Sequence, residues 1–471
     1  MIQISPATTP PTGAAPIAVI GAGITGLSAA WHLQRAGAAV VVFEASGRAG
    51  GVIESIRRDG WLHESGPNSI LEGPPGLADM IEALHLSPRR LYAADAAKNR
   101  YIVKKGRLVP VPTSPGGFLR TRLFSTRAKL GVAAEFFRSR GQHTDRESVA
   151  EFTIRRLGRE FLDYAIDPFV GGVYAGDPYR LSVRHAFPKL LALEREHGSL
   201  LRGAMRKKNT SGGPSGRIFS FADGLEELPR ALAAAVAGSL RLRTRILALR
   251  RHEDGWTIVH DRGGEVREER CSAVVCALPG DALGRLNFQG MAHPGGLAVL
   301  GEIEHPPVAS VFTGFRREDV LHPLNGFGIL APKVENCHIL GTLFSSTLFP
   351  GRAPAGHVAL TTFIGGTRQP ELARLDDEFL VRLAIAEMGQ WLGLGADPVY
   401  CSVRRHPRAI PQYNTGYDRF EAACAAAEAA APGLHIGGNC RDGVSLSACL
   451  ASGQRLAAAA LGRTAPVPQP A

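Results

Sequence analysis

Residues Ile17-Ala18-Val19-Ile20-Gly21-Ala22-Gly23-Ile24-Thr25-Gly26 open a unit that runs on through a helical stretch at 27–36 to Val40-Val41-Val42-Phe43-Glu44. The order is strand, glycine turn, helix, strand. A short continuous apolar run directly before Gly-x-Gly-x-x-Gly is the pattern of a buried parallel strand feeding a phosphate-binding turn. Gly21 permits the tight turn, Gly23 lets the backbone approach a pyrophosphate, and Gly26 lets helix and strand pack closely. The helix start then directs free N–H groups and the positive end of its dipole at the phosphates. Glu44, closing the second strand, is placed to accept hydrogen bonds from a ribose, and an acid there disfavours a 2′-phosphate.

Outward from this unit, 471 residues exceed what one hydrophobic core usually serves, so two or three intertwined domains are expected. Lys and Arg number 54 against 43 acids, a formal charge of +11, which suits an anionic substrate or an acidic surface. No nucleic-acid motif accompanies the charge, so nucleic acid is not expected as a partner. The cysteines, at 271, 276, 337, 401, 424, 440 and 449, contain no Cys-x-x-Cys and read as reduced thiols, neither a disulfide framework nor a metal site. Residues 1–16 are rich in Pro, Thr and Ala and read as neither a signal nor a transit peptide. No run approaches the roughly eighteen apolar residues of a membrane span, so any membrane contact is expected to be peripheral.

Along the chain, a short helix is expected at 77–86 and a hairpin from Asn99-Arg100-Tyr101 turning at Lys105-Gly106. Residues 110–141 interleave Phe118, Leu119, Leu123, Phe124, Leu130, Phe136 and Phe137 with Arg120, Arg122, Arg127, Lys129, Arg138 and Arg140, with Glu135 as the one acid. That composition fits a segment lying on anionic headgroups, or equally a helical subdomain with a solvated cationic face. Helices follow at 148–157 and 160–166. The two prolines and three glycines of 167–178 predict a shaped loop. A helix is expected near 187–195, a surface loop at 207–216, and a helix from 221 to 236. Strands at 242–250, 256–261 and 272–278 return the chain to an α/β layer. Strand-like segments at 327–331, 338–344 and 358–364 predict a separate mixed or antiparallel sheet covered by a helix at 376–392. Leu434-His435-Ile436-Gly437-Gly438-Asn439, then Gly443-Val444-Ser445 and a small-residue helix, form a second strand, glycine turn and helix able to offer N–H groups to a polar ligand.

Arg48-Ala49-Gly50-Gly51 and Glu64-Ser65-Gly66-Pro67 resemble the FAD-binding amine oxidase superfamily. Residues 167–178, Asn99-Arg100-Tyr101, Gly341-Thr342-Leu343-Phe344-Ser345-Ser346 and Arg408-Ala409-Ile410-Pro411-Gln412-Tyr413 resemble, more narrowly, the protoporphyrinogen oxidase family, a likeness that runs from about residue 16 to 461. The resemblance implies an α/β fold with a discontinuous Rossmann-type FAD-binding domain (14–98, 219–299 and 430–463). It also implies an α+β substrate domain (99–111 and 300–429) and a helical, membrane-associating subdomain (112–218). By position it implies that Gly21, Ala22, Gly23, Gly26, Glu44, Arg48, Gly50 and Gly51 hold the FAD phosphates and ribose, and that Ile246 offers backbone bonds to the adenine. Gly438, Asn439 and Val444 would lie at the flavin end. Arg100 would pair with a substrate propionate, the Gly172 carbonyl would face the pyrrole nitrogens, Leu330, Leu343 and Phe363 would sandwich the ring, and Asn68 would stand near the flavin.

The implied activity is oxidation of protoporphyrinogen IX or coproporphyrinogen III with O2 as acceptor and H2O2 as by-product, in three rounds of hydride transfer from the macrocycle to flavin N5. A large apolar macrocycle bearing carboxylates needs Leu and Phe walls and few charges, and a guanidinium can take a carboxylate in two bonds. No side-chain acid or base is named: His185, His406 and His435 read as packed or hydrogen-bonded histidines, and no metal is expected. The resemblance further implies a cytoplasmic protein on the inner face of the cell membrane, a homodimer, and handover of product to a chelatase. Two other classes share some features. One is an FAD amine oxidase or desaturase, which needs a different pocket; the other is a flavin and tetrapyrrole carrier that consumes no oxygen.

Overall fold

Strand Ile17–Ile20, every residue of it buried, pairs in parallel with Val40–Phe43 on one side and Ala273–Cys276 on the other. Leu240–Arg241 and Leu434–Ile436 extend this to five parallel strands drawn from three distant parts of the chain. Strands covered on both faces carry unbroken apolar runs rather than alternation, which is why this sheet stands out in the sequence. Helix Ile24–Arg35 packs across it against helix Leu446–Ala460, where Ser28 Oγ donates to the Leu450 carbonyl at 2.9 Å. The computed structural model describes residues 15–73, 76–141, 146–210, 217–291 and 296–463.

The expected α/β layer at 242–278 is two structures. Only Ala273–Cys276 joins the parallel sheet; Thr244–His252, Gly255–Arg262 and Glu265–Cys271 form an antiparallel meander, to which Asn287–Gln289 adds in parallel. Its third strand is mostly exposed and reads Glu-Val-Arg-Glu-Glu-Arg-Cys, so it carries no apolar signal. The helix expected from 221 begins only at Glu227, because Ile218–Phe221 is a strand of a small sheet with Ile70–Leu71 and Arg90–Tyr92.

A seven-stranded sheet forms the second layer, in the order Tyr400–His406, Val308–Arg316, His357–Gly365, Ile339–Leu343, Gly326–Leu330, Asn99–Lys104, Arg107–Pro110. All neighbours are antiparallel except Gly326–Leu330 with Asn99–Lys104. Side chains alternate between its faces. Tyr101, Val103, Ala309, Val311, Ile329, Leu360 and Ile364 point to one face and pack with Leu380, Ala384 and Met388 of helix Asp377–Leu392. The intervening residues are left for the other face.

The described residues between 115 and 210 are mostly helical. Residues 167–178, expected as a loop, begin with helix Asp167–Tyr174, which continues the turns Arg159–Phe161 and Leu162–Ile166. Pro168 lies inside this continuous helical run, and the π-type turn just before it accommodates the ring and the missing N–H. The loop expected at 207–216 starts as the end of helix Leu200–Thr210, and 211–216 lie outside the described residues. Within the basic segment, Leu123 (0% exposed) and Phe124 are core. Phe124 stacks on Phe161, and Phe118 packs beside them. Glu135 is also inside, paired with the buried Arg156 and accepting from Ser199 Oγ at 2.7 Å and Leu200 N at 2.8 Å. All seven cysteines are free and six are buried.

Candidate functional site

The three turn glycines are confined by different things. A Cβ on Gly26 would lie 1.9 Å from the Gly21 carbonyl oxygen, and one on Gly21, at φ +98°, would lie 2.9 Å from that of Ala277. A Cβ on Gly23 would meet nothing within 4 Å. Gly21 and Gly26 are therefore required by the fold, whereas Gly23 leaves a cradle at the start of the helix, the shape an anion at a helix N-terminus needs. The Gly50-Gly51 doublet closes over it: Gly50 N–H donates to the Ala22 carbonyl at 2.8 Å, and both glycines take positive φ, +106° and +61°. Arg48 spends its guanidinium around that doublet, donating to the carbonyls of Ala49 (3.3 Å) and Ile53 (3.0 Å) on either side of it and of Gly51 (2.5 Å) within it. Glu44 is anchored by Ala22 N–H to Oε2 at 2.8 Å and Ser46 N–H to Oε1 at 2.9 Å. Ile246 lies just past Thr244, whose N–H donates to the Glu44 carbonyl, and before the parallel pairing with Asn287–Gln289 begins at Ala248.

The second glycine turn reaches the same crevice, since a Cβ on Gly438 would be 3.7 Å from Thr25 Oγ1. Gly438, at φ +109°, donates its N–H to Ser452 Oγ (3.0 Å) and Asp442 Oδ2 (3.1 Å), and Arg455 holds Asp442. The Tyr413 hydroxyl donates to the Asn439 carbonyl at 2.6 Å and accepts from Gly443 N–H at 2.9 Å. Val444 follows, half-buried, ahead of Ser445, which caps helix Leu446–Ala460. Asn68 donates to the Gly66 carbonyl at 3.2 Å, on a loop packed on Val52, whose carbonyl oxygen a Cβ on Gly66 would approach to 2.2 Å.

Arg100, Leu330, Leu343 and Phe363 share the face of the seven-stranded sheet opposite helix Asp377–Leu392, where Leu330 also packs beside Leu123 and Phe124. Arg100 is opposite Gly328, Gly328 opposite Leu343, Leu330 opposite Gly341, and Gly341 opposite Phe363. Gly172 sits on this face, where a Cβ would be 2.5 Å from Leu330 Cδ2. The helix carrying it ends at Ala175 in the left-handed region, φ +49°. There the N–H groups of Ala175 and Gly176 turn back to the carbonyls of Gly171 (3.1 Å) and Val170 (3.5 Å), passing by that of Gly172. Such carbonyls at a helix end accept from whatever lies beyond. Arg100 is exposed with its guanidinium 5.2 Å above the Phe327 ring, and among the described residues it pairs with no carboxylate.

Sequence reasoning missed what holds these parts. Asp167 accepts from Arg368 at 3.2 Å and from Lys333 N–H at 2.7 Å, while Arg368 donates to the Ala331 carbonyl at 2.8 Å. Burial pushes the Asp167 carboxyl up and the Arg368 guanidinium down, and each partly offsets the other's dehydration. Asp167-Pro168 as a helix opening was the available signal. Of the three histidines, His406 Nε2 lies 2.6 Å from the Ser65 carbonyl, and burial lowers its pKa first and foremost, as it does for His435. His185 Nδ1 is 3.0 Å from Ser182 Oγ, and its Nε2 faces Asp418 (3.4 Å) and Glu421 (3.5 Å), with Arg184 on Asp418. That set is an ion-pair cluster, and it is the group of possible metal ligands found among the described residues.

Residues 24–461 match the model of the flavin containing amine oxidoreductases. A mitochondrial protoporphyrinogen oxidase of Nicotiana tabacum is 35% identical, over 93% of this chain and 93% of its own. This chain belongs to that family, in its protoporphyrinogen oxidase branch. A coproporphyrinogen III oxidase of Bacillus subtilis is 25% identical over 94% of this chain and 97% of its own. A crystal structure from Exiguobacterium, provisionally assigned as a protoporphyrinogen oxidase, superposes with a TM-score of 0.79 at 26% identity, covering 96% of this chain and all of the other. Cyclohexylamine oxidase from Brevibacterium oxydans shares the fold at 17% identity, TM-score 0.71, covering 96% of this chain and 99% of its own. The family's cofactor is FAD, and the open cradle at Gly23, the acid at Glu44 and the second glycine turn fit it.

Proposed function

We propose that this enzyme oxidises a porphyrinogen, protoporphyrinogen IX or coproporphyrinogen III, to the porphyrin with O2, releasing H2O2, in porphyrin and haem biosynthesis. What supports this is one surface: the half-buried Leu330, Leu343 and Phe363, with Gly172 above them and, to one side, Arg100, which meets no carboxylate among the described residues. Three strand spacings separate the Phe363 strand from the Arg100 strand, about 14 Å, the scale of a tetrapyrrole with its carboxylate arms. Arg100 would take a propionate in a charge-assisted pair, and the Leu and Phe side chains would hold the ring by area alone. The orphan carbonyl of Gly172 would accept a pyrrole N–H and so fix which edge of the ring faces inward. Bound at Gly23, Glu44 and the 438–444 turn, FAD supplies the two-electron acceptor chemistry that no side chain here provides. Asn68, Asn439 and Val444 would line its flavin end, and Ile246 its adenine.

On the same reading, residues 14–98, 219–299 and 430–463 serve FAD, 99–111 and 300–429 serve substrate, and 112–218 rest on the cytoplasmic face of the membrane. There, as a homodimer, the enzyme would pass porphyrin to a chelatase. The test is purified yellow protein given each porphyrinogen separately in air, with porphyrin fluorescence and peroxide recorded. Fluorescence well above the non-enzymatic rate is expected, and the ratio of rates names the substrate; background rates with both would refute the proposal.

A further inference from the structure

Gln412 and Tyr413 are adjacent, 2% and 4% exposed, and their side chains reach opposite ways into the two halves of the site. Gln412 Nε2 donates to the Tyr174 carbonyl at 2.8 Å, the last residue of the helix that carries Gly172, and to the Ile410 carbonyl at 3.0 Å. Its backbone N–H is fixed on the Glu304 carbonyl at 2.9 Å. Gly176 makes space for this side chain, because a Cβ there would stand 2.4 Å from Gln412 Oε1. The Tyr413 hydroxyl bridges the other half, spanning Asn439 and Gly443 on either side of the second glycine turn. Its carbonyl accepts from Ser182 N–H at 2.8 Å, and its ring lies 4.6 Å from that of Tyr417, whose hydroxyl donates to the Cys440 carbonyl at 2.6 Å. Burial pushes the Tyr413 phenol well above its ordinary range, so it keeps the proton it donates.

A buried Phe would fill the volume of Tyr413, and a buried Met that of Gln412. What both polar ends add is two backbone anchors, one on the helix with the orphan Gly172 carbonyl and one on the turn with Gly438, Asn439 and Val444. We propose that Gln412 and Tyr413 are a positioning pair that holds the Gly172 helix and the 438–444 turn at a set separation, so that the substrate ring and the flavin meet in register. The inference rests on the porphyrinogen oxidase reading above for what lies between the two halves. Each acts through the backbone it holds.

The experiment compares the FAD-loaded parent with Tyr413→Phe, Gln412→Met and the double variant. Tyr413→Phe should raise the FAD Kd about tenfold and alter the visible circular dichroism of the bound flavin, as loss of a buried bridging hydroxyl does. Gln412→Met should keep the parent's FAD Kd and raise the Kd for protoporphyrin, read by fluorescence quenching, about tenfold. The double variant should depart from the sum of the two, because the groups share one rigid segment. Parent-like FAD affinity and flavin dichroism in Tyr413→Phe, or parent-like porphyrin binding in Gln412→Met, would overturn the proposal, and a lowered Tm alongside those parent-like values would mark both residues as packing alone. A parent that binds FAD and porphyrin yet turns over no porphyrinogen would sink the functional reading, while these binding measurements would still decide the positioning role.

Discussion

Gly23 is the residue whose smallness the fold itself does not demand. With φ −69° and ψ 176° it sits in ordinary extended backbone, and nothing lies within 4 Å of its would-be Cβ. Gly23→Glu should therefore fold with the parent's flavin-free Tm but lose FAD affinity by about a hundredfold or more, since a carboxylate would occupy the pyrophosphate cradle. A purified variant that stays yellow would remove Gly23 from the cofactor site. Arg100 meets no competing carboxylate among the described residues, so Arg100→Ala should raise KM about tenfold, or ~1.4 kcal/mol, with kcat little changed; an unchanged KM would take it out of the pocket. His63 tests burial instead of binding. Stacked on Phe312 at 4.6 Å, it is held neutral by burial, its pKa lowered from 6.5 to about 4. Below pH 6.5 the unfolded chain takes up a proton that the folded chain refuses, so stability falls with falling pH until about pH 4, by up to about 1.4 kcal/mol per pH unit. Urea unfolding of His63→Phe should show a flatter acid limb in that window. The tight packing at Gly21 and Gly26 was readable because the dinucleotide turn imposes fixed spacing. The pairing of Asp167 with Arg368 was not, because 201 residues separate them and nothing local announces it.

At the scale of elements, the helix Asp167–Tyr174 shows where local reading fails. The prolines and glycines of 167–178 suggested a loop, yet the π-type turn before the helix accommodates Pro168, and Gly171 and Gly172 are small because Arg368 and Leu330 press against that face. Glycine marked close approach there, not a turn. The exposed strand Glu265–Cys271 escaped for the opposite reason, since charge on both faces leaves no period to read. The sheet bearing Leu330, Leu343 and Phe363 was legible as strand-like segments, whereas which face each residue takes depended on the docking of helix Asp377–Leu392 on one side. Asp167→Asn should cost about 3 kcal/mol in urea unfolding by leaving the Arg368 charge buried and unpaired. Adding Arg368→Met should return part of that loss; additive costs would show that the two do not act as a pair.

Across the whole molecule, the basic helical region divides into an inside and an outside. Leu123 and Phe124 belong to its core, while Leu119 (69% exposed), Leu130 (66%) and Phe137 (85%) stand in solvent among arginines. Among the described residues no helix is long and apolar enough to cross a membrane. The proposed membrane contact would be made by these exposed apolar and basic side chains. Changing Leu119, Leu130 and Phe137 together to Ser should leave Tm near the parent's and sharply reduce co-sedimentation with anionic vesicles; equal co-sedimentation would make this a solvated subdomain. The same change at Leu123 and Phe124 should unfold the region instead. On the proposed reading one crevice joins an FAD site to a porphyrinogen face, and mixing without oxygen shows whether electrons pass between them. On adding protoporphyrinogen IX or coproporphyrinogen III anaerobically to the yellow protein, the flavin's visible band should bleach within the turnover time. Admitting air should then restore the band with formation of peroxide. A band that persists under substrate, while porphyrin appears only at the background rate, would contradict the claim.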